Sequence, residues 1–316
     1  MRRFVMKALV MGGTGFMGRR LVSNLLKADC DVTIATSGKT VNPFEKRVRT
    51  LVFDRFRMKS IEDRIPPGDA YDVLFDQIGF GPDDVAGICD IFRGKVKHYV
   101  FTSSGSVYKG SKAGFIEEDF DPVAVRPREG GIRTLGYDEG KRSAESYLFH
   151  NAPFTVAAAR FPIVLGPDDS TDRFQFHVNR VKEQRPIVIP AGCGRMNYAW
   201  VEDAGRFLCW LGLEHRIGTY NAASSYALNA NELVRRIGIL LDKTPIVLGE
   251  GEKSDITPYY IEGDWSMDTT KAERHGFAFT PFEEWFPVIV RETAESGGKR
   301  LNTVDYFRQL LNPTGL

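Results

Sequence analysis

The stretch of sequence that decides the fold is MGGTGFMG, residues 11–18. It follows the apolar run at residues 8–10 and leads into residues 19–26, where apolar side chains recur at helical spacing. A glycine turn between a strand and a helix is typical of nucleotide-binding sites, because the N-terminus of the helix offers unpaired N–H groups and a positive dipole end to a phosphate. We therefore predict that this turn holds a dinucleotide. A glycine-rich turn without a ligand is the alternative.

The glycines of this turn follow a G-x-x-G-x-x-G spacing, and each has its own expected role. Gly12 lets the chain turn sharply off the strand, and Gly15 lets backbone amides approach a pyrophosphate. Gly18 is expected to let the helix pack closely on the sheet. The remaining residues expected to contact the cofactor here are Thr14, Phe16 and Met17.

The composition is that of an ordinary globular protein and excludes several classes. The 316 residues include 42 Lys and Arg against 41 Asp and Glu, so no global basic field attracts nucleic acid. The four cysteines form no CxxC pair and no Cys/His spacing typical of a metal site, which predicts reduced thiols and no metal. No apolar run reaches the roughly 18 residues of a membrane span, so we predict a cytoplasmic protein without membrane contact.

Short apolar runs alternate with helical patterns through the first half of the chain, which predicts a parallel sheet flanked by helices. The predicted strands lie near residues 8–10, 32–35, 51–53, 72–75, 98–102 and 155–159, with helices at 83–92 and 137–150, and a later helix at 201–213. We predict a nucleotide-binding domain over residues 1–167, with an irregular insert at 109–136, and a smaller α/β substrate lobe over 168–316. Some elements of that lobe are expected to return to the first domain.

Two segments carry residue types suited to proton transfer. The sequence TSSGSVY, residues 102–108, follows the fifth predicted strand, so Ser104 is expected at the carboxyl edge of the sheet. Tyr137 and Lys141 are four residues apart and share a helix face. A phenol has an ordinary pKa of about 10, and a nearby ammonium lowers it. Tyr108 and Lys112 show the same spacing in turn-like sequence, and a solvated helix face is the alternative for Tyr137 and Lys141.

Together these motifs resemble the extended short-chain dehydrogenase/reductases, which include nucleotide-sugar epimerases and dehydratases. The resemblance continues through RFPIVLGP at residues 160–167, VEDA at 201–204 and MDTTKA at 267–272. It implies a Rossmann-type doubly wound parallel sheet with a smaller C-terminal α/β substrate lobe, and a homodimer. It also implies that Tyr137 is the general acid/base, that Ser104 orients the substrate, and that Lys141 binds the nicotinamide ribose and tunes Tyr137. Phe161 is an implied cofactor contact.

The form of the dinucleotide depends on the end of the second strand. NAD-binding sheets usually carry an acid there, whereas this chain has Thr36, Ser37 and Lys39. Hydroxyls and a lysine suit a 2′-phosphate, which favours NADP over NAD, although Lys39 is also read as an ordinary loop lysine. The resemblance places Asp54 and Arg55 at an adenine contact, with Asp54 the stronger candidate and Arg55 alternatively a surface charge.

Departures from the family pattern bear on the substrate. Ile163 stands where nucleotide-sugar enzymes have asparagine, Arg195 is displaced by one position, and DQIG at residues 76–79 replaces an Ala-rich run. These features resemble a divergent branch, the chloroplast stem-loop RNA-binding proteins and their bacterial relatives.

Two hypotheses follow: an NAD(P)-dependent oxidoreductase, epimerase or dehydratase acting on a small sugar-derived or polyol-like substrate, or a dinucleotide-binding scaffold acting through RNA or protein partners. The neutral charge argues against nucleic acid. The insert arginines, read either as a clamp for an anionic substrate or as part of a solvated loop, are Arg126, Arg128 and Arg133.

Overall fold

The structure is a computed structural model that describes residues 5–166 and 169–296, with only the backbone described at 45 and 296. The strands in chain order are β1 (Lys7–Met11), β2 (Asp31–Thr36), β3 (Arg49–Val52), β4 (Tyr71–Asp76), β5 (Val96–Ser104), β6 (Lys112–Phe115), β7 (Thr155–Phe161), β8 (Ile163–Leu165), β9 (Ile187–Val188), β10 (Met196–Trp200), β11 (Gly218–Asn221), β12 (Ala227–Leu228), β13 (Val247–Leu248) and β14 (Trp265–Met267). The α-helices are α1 (Phe16–Lys27), α2 (Met58–Glu62), α3 (Pro82–Ile91), α4 (Ile132–Asn151), α5 (Arg173–Lys182), α6 (Val201–Leu213), α7 (Ala230–Leu241), α8 (Thr270–Arg274) and α9 (Phe282–Ser296).

Seven of the described strands form one parallel sheet in the order β11-β7-β5-β4-β1-β2-β3. The order runs outward in both directions from β1, which is the doubly wound arrangement of a Rossmann-type fold. The predicted fold class is therefore confirmed. In such sheets a ligand binds outside the carboxyl ends of the strands, at the point where the strand order reverses. Here that point lies between β1 and β4.

Alternating side chains of each strand enter two cores, one on each face of the sheet. Val10 and Phe75 pack with α1 and α6, whereas Leu9 and Leu74 pack with α3 and α4. This alternation follows from the two-residue period of a strand, because a parallel sheet covered by helices buries both faces. The covered sheet is thus a rigid platform whose carboxyl edge carries the loops of the site.

The C-terminal part of the chain builds a third apolar core and also adds elements to the main sheet and its covering helices. Helices α5, α7 and α9 pack together around Phe174, Trp285 and Phe286. By contrast, α6 packs on α1, and β11 pairs with β7 at the edge of the main sheet. Helix α6 and strand β11 therefore lie with the main sheet and the helices that cover it. The proposed domain boundary falls at residues 167 and 168, outside the described residues.

The insert at residues 109–136 is more ordered than its sequence predicts. It contains β6, which pairs with β14, and a 3-10 turn at Glu117–Asp119. The buried Arg160 donates hydrogen bonds to the carbonyls of Glu117 and Phe120 at 2.8 Å each. These contacts tie the middle of the insert to β7. Because β6 pairs with β14, about 150 residues further along the chain, no local sequence pattern predicts this strand.

Candidate active site

The glycine turn between β1 and α1 is shaped by close backbone contacts. Gly12 has a φ of +83°, and a Cβ there would lie 2.9 Å from a methyl carbon of Ile78. A Cβ on Gly18 would lie 2.1 Å from the Gly12 carbonyl oxygen, closer than atoms can approach. Gly18 therefore packs on the turn itself, whereas the sequence predicted that it would let the helix approach the sheet. Both positions require glycine for steric reasons.

Gly15 differs from these two glycines because a side chain there would make no close contact with the described atoms. A Cβ there would meet, among the described atoms, only the Gly12 carbonyl oxygen, at an ordinary 3.6 Å. Gly15 is the N-cap of α1, where the described side chains supply no capping hydrogen bond and the first turn carries no acid. The first N–H groups of a helix have no partner within the helix, so this end offers donors to an anion. The turn fits the pyrophosphate of a dinucleotide.

The other residues expected at the turn differ in their surroundings. Thr14 is buried, and Met17 is partly buried against the core beneath α1. The Phe16 ring lies beside Gly166, where a Cβ would be 2.9 Å from a ring carbon. Phe161 packs edge-on against Phe207 in the core, with ring centroids 6.0 Å apart, so its side chain does not line an open cleft.

The ends of β2 and β3 present the residues expected to contact the adenosine half. Ser37 and Lys39 are exposed, whereas Thr36 is buried and its hydroxyl accepts the Gly38 N–H at 3.3 Å. Asp54 is exposed, and its carboxylate accepts the Phe56 N–H at 3.0 Å. Hydroxyl, ammonium and carboxylate groups therefore lie along this edge of the sheet.

Arg55 is not the surface charge that the sequence allowed. Its guanidinium is buried and forms two hydrogen bonds of 2.7 Å with the carboxylate of Asp76 at the end of β4. Burial alone would lower the pKa of Arg55, but the Asp76 carboxylate raises it overall. The guanidinium also donates to the carbonyl of Asp84 at 3.2 Å. With these partners Arg55 supports the strand ends from within the protein.

Ser104 and Tyr137 meet at the carboxyl end of β5. Burial raises the pKa of Tyr137, while a hydrogen bond with the Ser104 side chain and the positive charge of Arg173 lower it. Gly136, with a φ of +74° and a ψ of 177°, interrupts α4 immediately before Tyr137. Tyr137 therefore begins the main part of this helix, where the helix dipole favours a phenolate. The sequence placed the helix start at the same residue.

Lys141 lies one turn further along α4 and is directed into the protein. Its ammonium donates to the carbonyls of Gly79 and Thr102 at 2.7 Å each, and the residue is 2% exposed. Nζ also lies 4.8 Å from the ring centroids of both Phe80 and Phe101. Burial lowers the pKa of Lys141 to about 7, although Asp76 opposes that shift. Its Nζ is 5.9 Å from the centroid of the Tyr137 ring.

The competing tyrosine–lysine pair occupies a different environment. Tyr108 is buried, donates to the side-chain oxygen of Asn221 at 2.6 Å and accepts from Arg160 at 3.0 Å. Burial raises its pKa. The partly exposed Lys112 pairs with Asp119. Tyr108 thus belongs to a buried polar network that links β5, β7 and β11.

Other arginines that the sequence singled out lie on the protein surface or pair with acids. Arg195 contacts Glu232 at 2.8 Å and the Ala227 carbonyl at 2.8 Å. Arg128 is 69% exposed and lies 3.7 Å from Glu139, so its charge is largely solvated. The further exposed arginines of the insert are Arg126 and Arg133.

Two residues near the candidate site had no assigned role in the sequence. Gln77 follows β4 beside the glycine turn, within a segment that the sequence marked only as a departure from the family pattern. Arg173 is the first residue of α5, and its charge acts on Tyr137. No local signal identifies Arg173, because it belongs to α5, which packs in the C-terminal core far along the chain from Tyr137.

The described residues give two further findings. No group of three His, Cys, Asp or Glu side chains within 5–166 and 169–296 is arranged to hold a metal ion. Over the same residues, the structure contains no helix with the length and apolar character needed to cross a membrane.

Comparison with known proteins shows that part of the chain is similar to one family. Residues 8–69 match the sequence model of the NAD dependent epimerase/dehydratase family. The chain is 28% identical over 224 residues to the chloroplast stem-loop binding protein of 41 kDa b from Arabidopsis thaliana, a match that covers 66% of this chain. The chain spans about half, 56%, of the length of that relative.

Solved structures of low sequence identity share the fold. The UDP-glucose 4-epimerase of Thermus thermophilus, solved with NAD, superposes with a TM-score of 0.71 at 18% identity and covers 91% of this chain and 99% of its own. The dTDP-glucose 4,6-dehydratase of Bacillus anthracis, also solved with NAD, gives a TM-score of 0.70 at 17% identity and covers 94% and 99%. The family match over residues 8–69 confirms the resemblance to the epimerases and dehydratases that the sequence indicated, and these structures show that the fold is shared.

Proposed function

We propose that this chain, which resembles the NAD-dependent epimerases and dehydratases in sequence over residues 8–69 and in fold over nine-tenths of its length, is an NAD(P)-dependent enzyme of that kind. Its reaction moves a hydride at a hydroxyl- or carbonyl-bearing carbon of a sugar-derived or polyol-like small molecule. The observation that carries the proposal is the pairing of Ser104 with Tyr137 at the same sheet edge as the glycine turn.

The residues at the point where the strand order reverses, between β1 and β4, fit a dinucleotide. The space around Gly15 and the uncapped start of α1 suit the pyrophosphate, since among the described side chains none occupies that position. The side-chain amide of the buried Gln77, beside the turn, has no hydrogen-bond partner among the described residues. When bound, the dinucleotide accepts or donates the hydride. At the end of β2, the exposed Ser37 and Lys39 favour the 2′-phosphate of NADP.

In this proposal Tyr137 transfers the proton of the substrate hydroxyl. The Ser104 hydroxyl orients that group. Burial raises the pKa of Tyr137, and the hydrogen bond with Ser104 and the positive charge of Arg173 oppose that rise. The start of the helix after Gly136 stabilises the phenolate further. The buried ammonium of Lys141 donates hydrogen bonds to the carbonyls of Gly79 and Thr102 and so holds the segments after β4 and at the end of β5 in place. Its contact with the nicotinamide ribose, which the family resemblance implies, is part of the proposal.

Two arginines bear on whether the substrate carries a nucleoside diphosphate. Arg195, the arginine displaced by one position, is held by Glu232. A diphosphate needs fixed cations or N–H donors, and Arg173 is the cation whose charge reaches Tyr137. These contacts favour a smaller sugar-derived or polyol-like substrate. A homodimer in the cytoplasm remains part of the proposal.

A second candidate function is a dinucleotide-binding scaffold that acts through RNA. One observation favours it, the 28% identity to a protein whose name describes stem-loop binding. The net charge of +1 and the retention of Ser104, Tyr137 and Lys141 favour the enzyme.

The test begins with native mass spectrometry of the purified protein, before and after addition of NAD(H) and NADP(H). We expect a bound dinucleotide, and its absence under all conditions would overturn the proposal. A panel of sugars, sugar phosphates and polyols is then followed by nicotinamide absorbance and by product analysis. Turnover that depends on Tyr137 supports the enzyme. Dinucleotide binding without turnover, together with retention of a stem-loop RNA on a filter, supports the scaffold.

A further inference from the structure

Gln77 lies directly beside the glycine turn. It follows β4, the strand that pairs with β1, and its N–H donates to the Met11 carbonyl at 3.1 Å. A Cβ built on Gly12 would lie 3.1 Å from the Cβ of Gln77. The side chain therefore leaves the strand end against the residue at which the turn begins.

The side-chain amide of Gln77 is buried and unpaired. The residue is 9% exposed, and neither Nε2 nor Oε1 has a hydrogen-bond partner among the described residues. Leaving a buried polar group unpaired is unfavourable, and water or a ligand usually completes such a group. The neighbouring Asp76 is the opposite case, because its carboxylate is bound by Arg55, Tyr99 and the Ile78 N–H.

The sheet topology indicates which half of a dinucleotide Gln77 faces. The strand order reverses between β1 and β4, so a bound dinucleotide crosses from β1–β3 to β4–β5 at its pyrophosphate. Gln77 is on the β4 side of this crossing, the side that leads to Ser104 and Tyr137. The Lys141 ammonium, on the same side, already donates to Gly79 and Thr102.

We propose that the carboxamide of Gln77 hydrogen-bonds the hydroxyls of the ribose next to the nicotinamide. A carboxamide offers both donors and an acceptor, and a hydroxyl group accepts and donates, so the two satisfy each other. A phosphate oxygen would pair with Nε2 and leave Oε1 buried without a partner. This assignment rests on the proposed function, since it presumes that the cleft holds a dinucleotide.

The experiment compares ADP-ribose, which carries this second ribose, with ADP, which lacks it. Isothermal titration calorimetry gives the Kd of each for the wild type and for Gln77→Leu. We expect the substitution to weaken ADP-ribose about tenfold, the value of one lost hydrogen bond that leaves its partner unpaired, and to leave ADP unchanged. The matched control is Gln175→Leu, which removes another buried amide nitrogen that has no partner among the described atoms. It should change neither Kd.

Each other outcome overturns the assignment. Equal weakening of ADP and ADP-ribose would place the amide on the pyrophosphate or adenosine side. Unchanged ADP-ribose affinity would make the amide a structural feature. If the wild type binds neither ADP nor ADP-ribose nor any dinucleotide, the proposed function is wrong and this inference is wrong with it. If the wild type binds these ligands but Gln77→Leu does not selectively weaken ADP-ribose, only the assignment of Gln77 is wrong.

Thermal unfolding of the ligand-free proteins keeps the test independent of folding defects. Because the amide has no partner to lose within residues 5–166 and 169–296, Gln77→Leu should melt at or above the wild-type Tm. A markedly lower Tm would indicate a structural role and overturn the assignment. Gln77→Ala, which removes the amide without adding an apolar group, should show the same selective loss of ADP-ribose.

Discussion

The Arg55 guanidinium and the Asp76 carboxylate form a doubly hydrogen-bonded ion pair, with both distances 2.7 Å, beneath the carboxyl edge of the sheet. Asp76 is fully buried and Arg55 is 4% exposed. Tyr99 donates a further hydrogen bond to Asp76, and the charge of Asp76 also acts on Lys141. The pair joins the segment after β3 to the end of β4, next to Gln77.

Breaking this pair should destabilise the protein strongly. Asp76→Ala leaves a buried guanidinium without its partner, so the free energy of unfolding should fall by about 3–5 kcal/mol. Replacing both residues, as Arg55→Met with Asp76→Leu, should cost less than the sum of the single changes, because no charge is then left unpaired. Urea unfolding measures each value. Arg93→Ala in the exposed Arg93–Asp90 pair is the control and should change little. Additive losses would contradict the coupling.

Substitution by alanine should affect stability at Gly18 and dinucleotide binding at Gly15. Gly18→Ala places a Cβ 2.1 Å from the Gly12 carbonyl oxygen, so it should lower the free energy of unfolding by about 2–3 kcal/mol. Gly15→Ala meets ordinary contact distances and an extended backbone, so the fold should tolerate it. The added methyl should nevertheless weaken dinucleotide binding. Thermal melts and calorimetry separate the two effects, and unchanged affinity in folded Gly15→Ala would contradict a pyrophosphate at this position.

Tyr137→Phe should remove the proton-transfer group and spare cofactor binding. The expected loss in kcat is about 10²–10⁴-fold, the usual contribution of a general acid/base. Tyr147→Phe, on the same helix, is the matched control and should keep wild-type turnover. Dinucleotide affinity of both variants is measured by fluorescence titration. Retained turnover in Tyr137→Phe would remove this residue from the mechanism.

Lys39→Ala should change the cofactor preference. The exposed ammonium at the end of β2 is the cation proposed for the 2′-phosphate, so its loss should weaken NADP(H) about tenfold and leave NAD(H) unaffected. The readout is the ratio of the two Kd values. Lys59→Ala, an exposed lysine of α2, serves as the control. Equal changes for both cofactors would indicate an ordinary loop lysine at position 39.

Stability should decrease as the pH falls below about 6.5 because of two buried histidines. Burial lowers the pKa of both His98 and His177 from 6.5 to about 4. Between these values the unfolded chain binds protons that the folded protein does not, so stability present above pH 6.5 is lost toward pH 4. Each should contribute about 1–2 kcal/mol to the difference between about pH 7 and pH 5. Urea unfolding of the double variant His98→Asn, His177→Gln should show that the free energy of unfolding depends less on pH than in the wild type. An unchanged pH dependence would contradict the assignment of this effect to the two histidines.

Local patterns in the sequence predicted the elements that build the site. Helix α6 is found at the predicted bounds, Val201–Leu213, and the glycine turn stands between the predicted strand and helix. These features are readable because apolar periodicity and glycine geometry act within a few residues. Two other features depend on partners that are distant in sequence, namely the pairing of β6 with β14 and the burial of Arg55 against Asp76. No local pattern predicts them.

The sequence by itself determined the class of fold and the order of its motifs, because strand period, helix period and glycine conformational freedom are local properties. Only the tertiary structure decided which charges are buried and which polar groups lack partners. Arg55 became an internal support, Lys141 turned toward two carbonyls, and the amide of Gln77 was left without a partner among the described residues at the switch point. These outcomes follow from desolvation and the hydrogen-bond geometry of packed strand ends, which exist only once the sheet has formed.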